Sequence, residues 1–188
     1  MIFHCLRVGI WFASTVAAAE LSPPSAYQWA AHIAGVPSFV LWAVALEESG
    51  TLLRGRLIPW PWTLNIAGAP SHYANRASAC DALREALLSI QPTRIDVGLL
   101  QVNIGYHGRR YPLQPCALLD PYTNLVVGAD ILRGHHVPGE DWMVAVGRYH
   151  RPAGGQPAIE YRRRVAKFLP HVPANGDDTR TSGGESLQ

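Results

Sequence analysis

Apolar residues recur at three- and four-residue intervals in six stretches of the chain, and the segments between them lack that period. Tyr27, Trp29, Ala30 and Ile33 mark a helix over 25–34 that Gly35 stops. Pro37 suits the first turn of a second helix, where Phe39, Leu41, Trp42, Val44, Ala45 and Leu46 leave almost no polar face. A helix apolar nearly all round belongs in a core. Asn75 is placed to cap a third helix, which runs to about Ile90 with Ala79, Leu83, Ala86, Leu87 and Ile90 on one side; Pro92 ends it. Asp120-Pro121 opens a fourth, with Leu125, Val126, Ala129, Ile131 and Leu132 buried before Gly134. Asp141 caps a short fifth through Tyr149, and a sixth runs from about Pro157 to Leu169. Between Gly50 and Asn75 the run IPWPWTLNIAGAP favours extended and turning backbone. The expected fold is mainly α, with a small irregular or β-like segment between Leu57 and Ile66 and a loop over RIDVGLLQVN.

The two ends of the chain read differently. Residues 1–19 carry a short basic start ending at Arg7, then VGIWFASTVAA, then Ala17-Ala18-Ala19, the pattern of a secretory signal peptide cut before Glu20. The apolar run is about half the ~20 residues a spanning helix needs, so no stable membrane span is expected after cleavage, and the mature chain is expected in the periplasm or outside the cell. Residues 171–188 have almost nothing apolar to bury and read as a disordered tail. One domain, residues 20–170, remains; a 188-residue chain is too short to suggest two.

A formal net charge of +2 with 16% charged residues points to no nucleic-acid partner. There is no internal repeat, no glycine-rich phosphate loop and no heptad pattern. His107, His135 and His136 lack a metal-ligand spacing and read as solvated loop residues, so neither a metal nor a cofactor is expected. Cys80 and Cys116 remain after the leader; they pair in an oxidising compartment or stay as buried thiols, and sequence separation does not decide between the two.

Candidate chemistry begins at ALEESG, Ala45 to Gly50. A glutamate in the last turn of a helix feels the negative end of the helix dipole, and burial beside Trp42 and Leu46 further opposes ionisation. A carboxyl that holds its proton near neutrality is what glycosidic bond cleavage requires of its acid. On residue types alone, two solvated glutamates at a fraying helix end are the commoner arrangement.

The segment further on changes the balance. Glu48-Ser49, then Gly98-Leu99-Leu100-Gln101-Val102-Asn103, then Ala145 to Tyr149-His150, in this order and with these gaps, resemble the three motifs of the lytic transglycosylase family with the goose-type lysozyme-like fold. The resemblance covers roughly Ser25 to Leu169 and is most specific to small periplasmic enzymes that accompany conjugative-transfer, type IV pilus and type III secretion systems. WPWTLNIAG, Trp60 to Gly68, is similar to the version found in integrating conjugative elements.

The resemblance implies that Glu48 is the catalytic acid, that Ser49 positions it and the substrate, and that the Gln101 amide lies in the cleft, with Asn103 closing the same motif. Leu100 stands where methionine is usual. Tyr149 matches the tyrosine near enough to hydrogen-bond the acid, His150 replaces the asparagine that follows it, and Tyr161 sits where a further tyrosine lines the site. The implied reaction uses one carboxyl twice. Glu48 protonates the oxygen between N-acetylmuramic acid and N-acetylglucosamine, then takes the proton of the muramic 6-hydroxyl as that oxygen closes a 1,6-anhydro ring. The implied partners are peptidoglycan strands and an envelope-spanning apparatus.

DVGLLQVN is also similar to the DYGILQIN segment of animal-type lysozymes, which makes Asp96 a candidate second carboxylate and a hydrolysing muramidase the alternative; the structural reading of Asp96 is a turn or cap residue. A catalytically idle glycan-binding assembly module is the third reading. Trp60, Trp62 and Trp142 are candidates for stacking on sugars, whereas Trp29 and Trp42 on helices read as core. Asn65 and Tyr106 are candidates for hydrogen bonds to the glycan. Arg162, Arg163, Arg164 and Lys167 read as a charged helix face, with attraction to an anionic polymer as the minority reading.

Overall fold

A computed structural model describes residues 22–108 and 114–170. The signal-peptide and tail expectations fall outside the described residues. Among the described residues, seven α-helices and six short strands make a mainly α fold with a small β part. The helices are α1 (Ser25–Ala34), α2 (Ser38–Ser49), α3 (Arg76–Leu87), α4 (Ile104–His107), α5 (Pro121–Gly134), α6 (Trp142–His150) and α7 (Gln156–Ala166). The strands are β1 (Gly50–Leu53), β2 (Arg56–Pro59), β3 (Thr63–Ile66), β4 (Ala69–His72), β5 (Ile95–Val97) and β6 (Val102–Asn103). No single helix among the described residues is long and apolar enough to cross a membrane.

The expected caps form. Gly35 adopts a left-handed conformation and closes α1. Asn75, Asp120 and Asp141 accept hydrogen bonds from the backbone N–H groups of Ser78, Thr123 and Met143. As its nearly all-apolar surface requires, α2 lies in the core: Leu41, Ala43, Val44 and Ala45 have no exposed area, and α1, α6 and α7 pack around it. In the fourth stripe Leu125, Ala129, Ile131 and Leu132 are buried as expected and Val127 and Asn124 join them, while Val126 is only half-buried. Trp29, read as core, is 48% exposed and meets the Tyr122 ring edge-on, because α1 turns Tyr27, Ala30 and Ala31 inward instead. Trp42 is half-buried and edge-on to Tyr27.

The β part is larger than expected. β1 and β2 form a hairpin on their own, and β4, β3, β5 and β6 form an antiparallel sheet in that order. The segment read as a loop, RIDVGLLQVN, supplies β5 and β6. Both tight turns, Arg54-Gly55 and Ala67-Gly68, have positive φ at both residues, the hairpin geometry that normally asks for Asn-Gly or Asp-Gly. With Arg54 and Ala67 at the first turn position, neither turn carries a hairpin signal in its residue types. Cys80 on α3 and Cys116 in a 3-10 turn (Pro115–Leu119) form a disulfide with Cα atoms 5.3 Å apart, which decides the question left open by their spacing.

Candidate active site

Register builds one side of the site. Leu64 on β3, Val97 on β5 and Val102 on β6 lie beside one another and are buried beneath the sheet. Since alternate residues point to opposite faces, their neighbours Asn65, Asp96 and Asn103 stand in a row on the other face. The Asn103 amide donates to Asp96 Oδ1 at 2.8 Å, while its own oxygen caps α4 by accepting from Gly105 and Tyr106. Burial raises the Asp96 carboxyl above its usual value, and the Asn103 hydrogen bond opposes that rise. Asn65 Oδ1 is buried with no hydrogen-bond partner.

Helices build the other side. At the end of α2 the two glutamates part. Glu47 accepts a hydrogen bond from Arg164 Nε on α7, and Glu48 accepts one from the Tyr161 hydroxyl at 2.5 Å. The Tyr161 ring is 1% exposed, lies parallel to the His150 ring at 4.4 Å, and has the Arg164 guanidinium 5.5 Å from its centre. The Glu48 carboxyl is pushed up to about 7. Burial is the main cause; the charges of Asp96 and Glu47 add to it, while the Tyr161 hydrogen bond and Arg164 oppose it. At neutral pH the group is therefore divided between acid and conjugate base, the state a residue needs if it is to give and then take a proton.

A tight loop, Gly98 to Gln101, connects the two sides. Ser49, 2% exposed, sets its hydroxyl 2.7 Å from the Leu99 carbonyl and so ties the end of α2 to this loop rather than reaching outward. Tyr149 donates to the Leu100 carbonyl at 2.6 Å. Tyr149 lies near the acid, as expected, but its hydroxyl holds the loop, and the donor to Glu48 is Tyr161. Burial lifts the Tyr149 hydroxyl well above its usual range, and the charges of Glu48 and Asp96 add to the rise, so both carboxyls are near it. Gln101 has φ 45°, and its amide donates to the Gly98 carbonyl at 2.8 Å and the Thr63 carbonyl at 3.3 Å, closing the turn on itself.

One residue that holds this loop was missed. Asn124 on α5, 1% exposed, accepts from the Leu100 N–H and donates to the carbonyls of Val97 and Leu118. A Cβ on Gly98 would come within 2.2 Å of that amide, and one on Gly128 within 2.3 Å of Leu100. The only sequence signal was a polar residue inside an otherwise apolar stripe, which alone does not say what it binds.

Other expected contacts are spread differently. Trp60 and Trp62 are half-buried and edge-on to each other at 5.4 Å, and the Trp60 indole N–H donates to the Tyr73 carbonyl. Trp142, a candidate for sugar stacking, instead stacks on His136 at 3.9 Å. That contact also corrects the view of His136 as solvated; His135 is half-buried and His107 belongs to α4. Tyr106 is 73% exposed. A cavity of about 300 Å³ between α6 and α7 includes none of the expected site residues. Comparison with known protein families, with curated proteins and with solved structures finds no match for the chain.

Proposed function

We propose that the chain is a lysozyme-like peptidoglycan lytic transglycosylase in which Glu48 acts as acid and then base. The observation that carries this reading is the Glu48 carboxyl: enclosed at the end of a core helix, fixed by Tyr161, and shifted to a pKa of about 7. In the first step Glu48 gives its proton to the oxygen leaving the muramic C1, as that C–O bond breaks and positive charge grows on the ring. The carboxylate then removes the proton of the same ring's 6-hydroxyl, whose oxygen bonds to C1; no water is consumed. Tyr161, donating to Glu48 Oε1, keeps the carboxyl aimed through both steps and stabilises its anionic form between them. Asn65 stands in the row beside Asp96 with its oxygen buried and unpaired, and serves as an acceptor for a sugar N–H or O–H only once its side chain turns outward. The WPWTLNIAG segment supports a role in opening the wall for a conjugation or secretion apparatus.

Asp96 favours a second reading. Its charge is felt by Glu48, so a lysozyme-type hydrolysis through that carboxylate is the rival chemistry. Asn103 bonded to Asp96 supports the first reading, since it engages one of the oxygens that would attack C1. Mass spectrometry of fragments released from purified sacculi separates the two. We expect anhydro-ended muropeptides; products heavier by one water mean hydrolysis. If the unaltered protein releases nothing yet binds sacculi, the chain is a binding module and both enzyme readings fall.

A further inference from the structure

Arg164 stands beside the acid with hydrogen-bonding capacity to spare. Its Nε is engaged by Glu47 and its guanidinium carbon lies 5.5 Å from the centre of the Tyr161 ring, whose hydroxyl reaches Glu48. Among the described residues nothing accepts from its two terminal nitrogens, and the side chain is 45% exposed. Glu47, by contrast, is 19% exposed and spent on Arg164. A guanidinium clamped at one nitrogen and open at two presents a fixed fork, suited to a carboxylate.

We propose that Arg164 is a specificity-determining residue, which binds a carboxylate borne by the sugar strand next to the bond that Glu48 cleaves. This rests on the function proposed above and narrows its substrate to acidic strands. Muramic acid carries carboxylate either on its lactyl ether or on the peptide attached there, and a strand of N-acetylglucosamine alone carries none. The Glu47 partner explains how a cation stands so near a group that must hold a proton. Arg164 alone would favour the Glu48 carboxylate, and the negative charge of Glu47 offsets it. The groups facing Arg164 are Glu47 and Glu48 from α2 and Tyr161 from its own helix, with His150 from α6 stacked on that tyrosine. The pair thus keeps a fork for anions beside a neutral acid.

The test compares three strands: intact glycan with its peptides, glycan stripped by an amidase so that only the lactyl carboxylate remains, and the intact glycan with its carboxyls chemically amidated. The unaltered protein should act on the acidic strands with kcat/KM about tenfold above the amidated one, the scale of a charge-assisted pair. Arg164→Gln should abolish that preference, whatever happens to the rate common to all three; Arg164→Lys, keeping charge without the fork, should retain part of it. A preference for stripped over intact strands assigns the lactyl carboxylate, which is free only once the peptide is removed; one confined to intact strands assigns the peptide, and one shared by both shows that the fork accepts either carboxylate. An Arg164→Gln loss equal on all three strands would overturn the proposal, because it would mean that Arg164 only steadies Glu47 and Tyr161. Binding to the same strands by chains carrying Glu48→Gln reads the contact without turnover. Charge-dependent binding with no cleavage by the unaltered protein overturns the enzyme reading alone, and charge-independent binding overturns this one.

Discussion

The two sides of the site carry one carboxyl each and raise both above their usual range, but with different neighbours. On the helical side Glu48 is surrounded by rings and a core helix, and its one side-chain donor, Tyr161, does not offset burial; the group rises to about 7. On the sheet side Asp96 stands in a row of amides, where Asn103 donates to it and opposes the effect of burial. Both carboxyls are removed from water. Each has one side-chain donor that opposes the rise, so the donors do not separate them; burial is the largest cause at both, and it is more complete around Glu48, where the charges of Asp96 and Glu47 add to it.

The sharpest way to break this contrast is Glu48→Gln, which keeps shape and an acceptor for Tyr161 but removes the proton. We expect wall-clearing activity to fall by about 100-fold or more, with binding to sacculi retained. The same change tests the electrostatics. The folded chain holds a proton on Glu48 that the unfolded chain releases above about 4.5, so the unaltered protein loses stability as pH rises from about 4.5 to about 7. Thermal melts of Glu48→Gln should lack that loss; identical pH dependence would refute the raised pKa.

Next in size is Asn124→Ala, which removes the link holding the loop between the two sides. Three buried backbone groups lose their partner, and we expect a loss of about 3 kcal/mol, read as a lower denaturation midpoint. Tyr161→Phe is smaller, about fivefold in rate for one lost hydrogen bond. Because that bond lowers the Glu48 pKa, its removal should move the alkaline limb of the pH–rate profile upward. Smallest is Asp96→Asn. Its charge raises the Glu48 pKa, so the limb should move slightly downward with anhydro products unchanged. A severe loss of rate there would instead make Asp96 the second catalytic carboxylate.

The helical side was far more legible than the sheet side. Six helices and three caps could be placed from period and capping chemistry, because α-helical contacts are local and repeat every 3.6 residues. The sheet was compressed into a small segment and a loop, since its strands are two to four residues long and pair across as many as thirty-three positions, from Leu64 on β3 to Val97 on β5. A two-residue strand has no period to read.

The same division holds within the site. Glu48 could be singled out from Glu47 by its serine neighbour and its motif, and the loop over Gly98 to Asn103 could be matched to it. What those side chains touch was decided only in the folded chain. Tyr149 and Tyr161 are equivalent as residue types, yet the packing of α6 and α7 against α2 sends one hydroxyl to the Leu100 carbonyl and the other to Glu48. Arg164 read as one cation in a charged helix face until α7 brought it onto Glu47. A repeating pattern along the chain records which residues turn inward, because burial is a property of each element's own face. Which partner each inward group meets depends on distances between elements far apart in sequence, and that no local pattern contains.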